Sequence, residues 1–290
     1  MSSFDSIDRI VIAGVGMIGG SIGLALKRSG FRGKVTGFGR RWSSLKNAIN
    51  VGAIDSAAMD LAEAMDGAGI LIVCTPVDTI PVLIGESFKY APKGCIITDV
   101  GSTKSRLVAD IHKIVPDDIY FVGAHPMAGS HKTGVISATD NLFDNSICIL
   151  TPTEATESEA LEVISDMWKS LGANVKLLPP QEHDYFIAAI SHAPHILACA
   201  IIQVAADIKN NERAIDFSST GFADMTRIAS GSPDIWKGIL LQNEMIVPIL
   251  DKLENELKDI KSILLDKDEE RLVEKLEQAK LIRDQIPAKR

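Results

Sequence analysis

The chain has 290 residues, 46% of them hydrophobic, enough to enclose a substantial core in one large or two ordinary domains. Its formal net charge of −8 argues against a phosphate-backbone partner, which calls for a basic face, so no nucleic-acid partner is expected. Met1 to Asp8 is polar with no basic-then-apolar order, and the longest apolar run, Ile196 to Val204, is broken by Gln203 and too short to cross a bilayer; a cytoplasmic protein without signal peptide or membrane contact is expected.

In chain order, short β-branched runs alternate with amphipathic stretches. Strands are expected at Arg9 to Ala13, Lys34 to Phe38, Ile70 to Cys74, Cys95 to Thr98, Ile119 to Gly123, Ser146 to Leu150 and Asn174 to Leu178. Between them, helical patterns occupy Met17 to Ser29, Thr79 to Tyr90, Lys104 to Ile114 and Ser158 to Leu171. This alternation specifies a mostly parallel sheet covered by helices on both faces. Past the Pro179-Pro180 hinge the strands stop. Helices are expected at Gln181 to Asp207, with a kink at Pro194, then Phe217 to Ala229, Pro233 to Gln242, Glu244 to Leu265 and Glu269 to Ile286. The reading is an α/β Rossmann-type dinucleotide-binding domain over residues 1–178, followed by an all-α substrate-binding and dimerisation domain over residues 179–290.

Cys74, Cys95, Cys148 and Cys199 are widely spaced within apolar runs, read as buried free thiols, and show no metal-ligand spacing. Ile246, Leu250, Leu253, Leu257, Ile260 and Leu264 recur at spacings of four, three, four, three and four, a stripe suited to zipping against a second copy or lining an internal bundle; a homodimer through the helical domain is expected.

The first strand runs into Gly14-Val15-Gly16-Met17-Ile18-Gly19 and then an apolar helix. In that context Gly14 makes the tight turn, Gly16 lets the backbone approach a pyrophosphate, Gly19 lets helix and strand pack closely, and the amides opening the helix hold the anion. An acid that binds the ribose hydroxyl of NAD belongs about twenty residues further on. Gly39 stands there instead, followed by Arg40 and Arg41, with Ser43 or Ser44 close behind, a set that makes room for a 2′-phosphate and can pair with it. NADP is therefore expected over NAD, with Thr75 and Pro76 completing the expected dinucleotide contacts.

Four further segments carry chemistry. Asp99-Val100-Gly101-Ser102-Thr103-Lys104 follows a strand at the carboxyl edge of the sheet, where Ser102 can cap the next helix or bond a substrate hydroxyl. Gly123-Ala124-His125-Pro126-Met127-Ala128-Gly129-Ser130 places a lone imidazole, the side chain best suited to accept a proton near neutrality, in a turn-rich segment after an apolar strand. Ser191-His192-Ala193-Pro194-His195 and Thr226-Arg227-Ile228-Ala229-Ser230-Gly231 interrupt apolar helical sequence with two imidazoles and a guanidinium.

Taken together and in this order, Gly14 to Ser21, Asp99 to Lys104, His125 to Ser130, Ser191 to His195 and Thr226 to Ala229 resemble the prephenate dehydrogenase family, with its arogenate and cyclohexadienyl members, over about Arg9 to Trp236. The resemblance implies oxidative decarboxylation of prephenate to 4-hydroxyphenylpyruvate in tyrosine biosynthesis. His125 would accept the ring-hydroxyl proton and Ser102 would share that contact. Arg227 would grip the ring carboxylate, His195 would meet the pyruvyl arm, and His192 would brace the helix; Ser130 and His131 join the expected substrate contacts. The site would lie between the domains. Two departures matter: Gly39 replaces the ribose-binding acid, and His131 stands where some members carry an acid that would favour the ammonium of arogenate, so prephenate is the expected substrate and arogenate the alternative. The chain ends at Arg290 directly after helical sequence, so no separate regulatory or mutase domain is expected. The rivals are another Rossmann-plus-helical dehydrogenase, acting on β-hydroxyacids or imines, and a dimeric dinucleotide sensor without catalysis.

Overall fold

The computed structural model describes residues 3–129, 133–208 and 213–286. Contacts divide the chain into a unit Met1–Glu244 and a smaller unit Met245–Arg290.

The first unit begins with β1 (Arg9–Ala13), α1 (Met17–Arg28), β2 (Lys34–Phe38), α2 (Trp42–Asn50), β3 (Ser56–Ala58), α3 (Leu61–Met65), β4 (Ile70–Val73), α4 (Ile80–Ser87), β5 (Ile96–Asp99), α5 (Ser105–His112) and β6 (Tyr120–Val122). These six strands form one parallel sheet in the order β3-β2-β1-β4-β5-β6. Ile70 to Val73 are all buried, as strands covered on both faces require. The order reverses beside β1, which pairs with both β2 and β4, and ligands of such sheets bind at the carboxyl ends of the strands at that point.

The chain then turns into a second sheet made by β7 (Ala124–Pro126), β8 (Ile147–Leu150) and β9 (Asn174–Leu177), with α6 (Ser158–Ser170) between the last two. β7 runs antiparallel to β8 and β8 parallel to β9. The buried Trp168 indole of α6 meets the Phe143 ring edge-on at 5.3 Å, closing the core on this side.

All seven expected strands are present, with ends shifted by a residue or so. The sequence reading missed β3, α2 and α3, and it missed β7, the strand that holds His125. A strand of three residues containing proline carries too little alternation to be seen; only pairing with β8 makes Ala124–Pro126 extended. Cys95 and Cys148 are buried as expected, Cys74 and Cys199 only half-buried. Burial pushes the Cys95 thiol up to about 12 and raises Cys74 and Cys148 too, which keeps them protonated and unreactive.

After β9 come α7 (Pro180–Ile187), a π-helical segment (Ala188–His192) and α8 (Ala193–Asp207), continuous as one rod. The π turn directly precedes Pro194, the position where a kink is expected. Pro194 has no N–H and its ring crowds the carbonyl of Ile190, and the wider turn absorbs both. The rod corrects the expectation that no segment is fit to span a bilayer: Pro180–Asp207 is long enough, and an 18-residue window within it has a mean hydropathy of 1.7, so that it qualifies by length and composition alone. An unbroken apolar run is the wrong measure here, because His183, Asp184, His192 and His195 lie within the rod and are buried in the protein.

α9 (Thr220–Thr226), a 3-10 turn Arg227–Ser230 and α10 (Pro233–Gln242) complete this unit. The expected single helix Phe217 to Ala229 is three short pieces, with a 3-10 turn Ala214–Phe217 ahead of α9, and no residue of the three is buried. The smaller unit holds α11 (Ile246–Asp266) and α12 (Glu269–Asp284), joined by Lys267 in the left-handed conformation and by Arg271 and Lys275 paired to Asp259 at 3.0 and 2.6 Å.

Candidate active site

The dinucleotide cradle follows from its glycines. Gly14 has φ +94°, and a Cβ there would stand 2.8 Å from the Cys74 carbonyl oxygen, so only glycine turns the chain this tightly. A Cβ on Gly19 would strike the Gly14 carbonyl. Gly16 faces open space and is the cap residue of α1 with no side chain covering its end, which leaves the first amides of α1 available to an anion. Thr75 borders Gly14, and Pro76 leads into the 3-10 turn Val77–Thr79. These residues fit a nicotinamide dinucleotide. At the end of β2, Gly39 keeps its α-carbon uncrowded, with only Leu45 within 4 Å of a would-be Cβ. Arg40 and Arg41 follow; Arg41 is the exposed cap residue of α2, whose first turn, with Ser43 and Ser44, holds no acid.

Beside it lies a cavity of about 180 Å³ lined by Ser102, His125, Pro126, Met127, Ala128, Gly129, Ser191, His192, Trp236 and Ile239. A larger surface hollow of about 480 Å³, walled by Lys27, Arg32 and Lys34, opens beside Val35 of β2 and contains none of these groups.

One chain of polar contacts orders the smaller cavity. The Asp184 carboxylate accepts the backbone N–H groups of Lys104 and Ser105, each at 2.8 Å, and thereby caps α5 from across the fold; Ser102 is not the cap and turns to the cavity. The same carboxylate lies 2.8 Å from His183 Nδ1, and His183 Nε2 lies 2.8 Å from His125 Nδ1. An ionised carboxylate only accepts, so His183 donates from Nδ1 and accepts at Nε2, His125 donates from Nδ1, and His125 Nε2 is left with its lone pair. The network therefore selects the tautomer that a proton acceptor needs.

Electrostatics agree with this assignment. Burial opposes ionisation of Asp184, but the His183 contact and the Ser105 and Lys104 amides outweigh it and hold the carboxyl below its usual range. Burial, then the neighbouring His183 and Lys104, push His125 well below 6.5, so the imidazole is neutral at physiological pH. Lys104 is fully buried, paired to Asp99 at 2.6 Å, and donates to the Gly101 and Thr103 carbonyls at 2.6 and 3.2 Å. Asp99 also accepts from Gly101 N at 2.7 Å and Ala124 N at 3.2 Å, tying the Ser102 turn to β7.

The remaining expected residues are placed as follows. His192 does brace the helix, with Nδ1 3.0 Å from Asn243 Nδ2, and also lines the cavity; burial first, then its imidazole neighbours, lower it to about 4. His195 is not among the lining residues but stacks on Trp236, which is, at 3.6 Å, with Cys199 Sγ 3.7 Å from Nε2. Its buried Nδ1 has no well-formed hydrogen bond, although the nearby Ile228 carbonyl favours protonation against the larger effect of burial. Arg227 is exposed at the start of the 3-10 turn and is not part of the cavity wall. Ser130 and His131 lie outside the described residues. Sequence reasoning missed His183, Asp184, Trp236 and Asn243; the adjacent titratable pair just inside α7 was the available signal.

Two family models match, "Prephenate dehydrogenase, nucleotide-binding domain" over residues 22–177 and "Prephenate dehydrogenase, dimerization domain" over residues 179–278. The chain belongs to the prephenate dehydrogenase family. It is 36% identical over 283 residues to prephenate dehydrogenase of Bacillus subtilis (strain 168), covering 97% of this chain and 76% of that protein. The crystal structure of Aquifex aeolicus prephenate dehydrogenase in complex with hydroxyphenyl propionate and NAD+ superposes with a TM-score of 0.93 at 33% identity, covering 97% and 99% of the two chains. Synechocystis arogenate dehydrogenase gives 0.84 at 29% identity, covering 95% and 99%. An imine reductase from Pseudomonas sp., at 17% identity and TM-score 0.51, shares the fold alone. Membership makes this protein a dehydrogenase built around a nicotinamide dinucleotide.

Proposed function

We propose that the protein oxidises and decarboxylates prephenate to 4-hydroxyphenylpyruvate, passing hydride to NADP. The observation that carries the reading is the directed His183–Asp184 support behind His125, which leaves Nε2 as a neutral base on a cavity shared with Ser102. Nε2 takes the proton of the ring hydroxyl while Ser102 orients that oxygen. When bound, the oxidised nicotinamide supplies the hydride acceptor. Loss of carbon dioxide then aromatises the ring, giving one ketoacid, one carbon dioxide and one reduced cofactor per substrate. Arg227 serves as the clamp for the ring carboxylate and His195 serves the side arm together with Trp236. Ser130 and His131 complete the substrate contacts.

Prephenate is favoured over arogenate because the described cavity wall contains no carboxylate to pair with an ammonium arm, and His131 adds none. NADP is favoured because Gly39, Arg40, Arg41 and Ser43 offer a cationic, acid-free corner. The division into substrate and dinucleotide domains at residues 178/179 is supported by the two family models, which end at 177 and begin at 179. A homodimer through the helical domain is supported by that model's description and by exposed Ile190 and Val204 on the rod and Leu257 and Leu264 on α11.

A spectrophotometric assay pairing prephenate or arogenate with NADP or NAD tests all of this together. Prephenate with NADP should have the highest kcat/KM, and Arg40→Ala with Arg41→Ala should reduce the NADP preference about tenfold or more. Strict arogenate use or a clear NAD preference would overturn the respective assignment.

A further inference from the structure

The glycine motif at the start of α1 continues as Gly20-Ser21, past the Gly14, Gly16 and Gly19 positions of the dinucleotide cradle. Both face the segment that follows β7. A Cβ on Gly20 would stand 2.7 Å from Val135 Cγ2 and 3.0 Å from Ala138 Cβ, closer than side chains tolerate. Ser21 is fully buried, and its hydroxyl accepts the Thr139 N–H at 3.1 Å. Val135 is buried in the same apolar cluster that Ile18, from the start of α1, and Ala128, from the cavity wall, pack against. One side of α1 thus serves the dinucleotide while the next turn seats the segment leading away from Met127, Ala128 and Gly129.

We propose that Gly20 and Ser21 are positioning residues for the substrate half of the site, seating residues 133–139 on α1 and through them holding the 127–129 wall of the cavity. Gly20 removes the volume that Val135 needs, and a β-branched side chain in a buried seat has no spare rotamer with which to yield. Ser21 supplies a buried hydroxyl acceptor for the Thr139 amide. Because the seat is on α1 itself, the helix that binds dinucleotide also sets the substrate wall. The kinetic part of this proposal rests on the prephenate or arogenate reading; the seat does not.

Gly20→Ala should raise KM for the acid substrate about tenfold, with kcat within about threefold and the dinucleotide dissociation constant within about twofold. Adding Val135→Ala removes the clashing methyl and should recover most of the lost KM, a coupling expected only if the two side chains meet. Ser21→Ala, the milder change, should raise KM about threefold and speed hydrogen exchange at the Thr139 amide about tenfold or more in the full-length protein. The proposal fails if Gly20→Ala weakens dinucleotide binding as much as substrate binding, if Val135→Ala brings no recovery, or if the variants lower Tm with KM unchanged. If the wild-type protein turns over neither acid, the functional reading is lost, and the exchange measurement still judges the seat: unaltered exchange at Thr139 overturns it.

Discussion

Two regions of the site are built in opposite ways. Around His125 the side chains of Asp99, Lys104, Asp184 and His183 are buried and paired, which fixes the tautomer of the imidazole before any ligand arrives. Around Arg227 no residue from Ala214 to Phe217 or from Thr220 to Ser230 is buried. On the proposed reading, the difference separates chemistry from capture. A proton acceptor must have its tautomer and orientation fixed in advance, whereas a clamp for an incoming carboxylate gains by staying solvated until the anion arrives.

The sharpest way to break this comparison is His125→Asn, which keeps the shape and removes the base. Turnover should drop by a factor of about a hundred to ten thousand with KM little changed; full turnover across pH would remove His125 from the mechanism. Arg227→Ala should do the reverse, raising KM by the equivalent of about 2 to 5 kcal/mol while sparing kcat, because the clamp acts on binding. A kcat loss with unchanged KM in that variant would merge the two regions into one.

Asp184→Asn is a smaller perturbation of the buried side. An amide can donate as well as accept, so His183 loses its imposed tautomer and kcat should fall about tenfold to a hundredfold, the usual cost of removing the partner that orients an imidazole. Unchanged kcat would show that the contact is not used.

The pH profile sharpens the same point. Since His125 sits well below 6.5 and must be neutral to work, the acid limb of kcat/KM should fall below pH 6.5 rather than at it. Stability responds to the same burial. His192 is lowered to about 4, so the unfolded chain takes up its proton first as pH falls from 6.5, and folding stability should decline down to about pH 4, on the order of 3 kcal/mol in all. Denaturant titrations across that range, compared with His192→Asn, measure it; an equal slope in both proteins would refute the assignment.

Much of the fold was legible in the sequence because parallel strands buried on both faces are continuous apolar runs, as in Ile70 to Val73, and because Gly14, Gly16 and Gly19 follow a strand and open a helix. The short strand β7 was not, since its three residues are extended only by pairing with a strand more than twenty positions away. Within the site, His125 and Ser102 stood out by residue type. His183 and Asp184 did not, because their meaning lies in contacts 58 and 80 residues away in sequence.

The sequence by itself determined which chemical groups are present and the local structure that carries them: the phosphate-binding turn, the alternation of strand and helix, the lone imidazole after a strand. Tertiary structure alone decided which nitrogen of that imidazole keeps its lone pair, that Asp184 rather than Ser102 caps α5, that His195 stacks on Trp236, and that Gly20 and Ser21 meet Val135, Ala138 and Thr139. Those are properties of directional contacts and of volume shared between distant segments. No local pattern encodes them, because each depends on what the other segment brings.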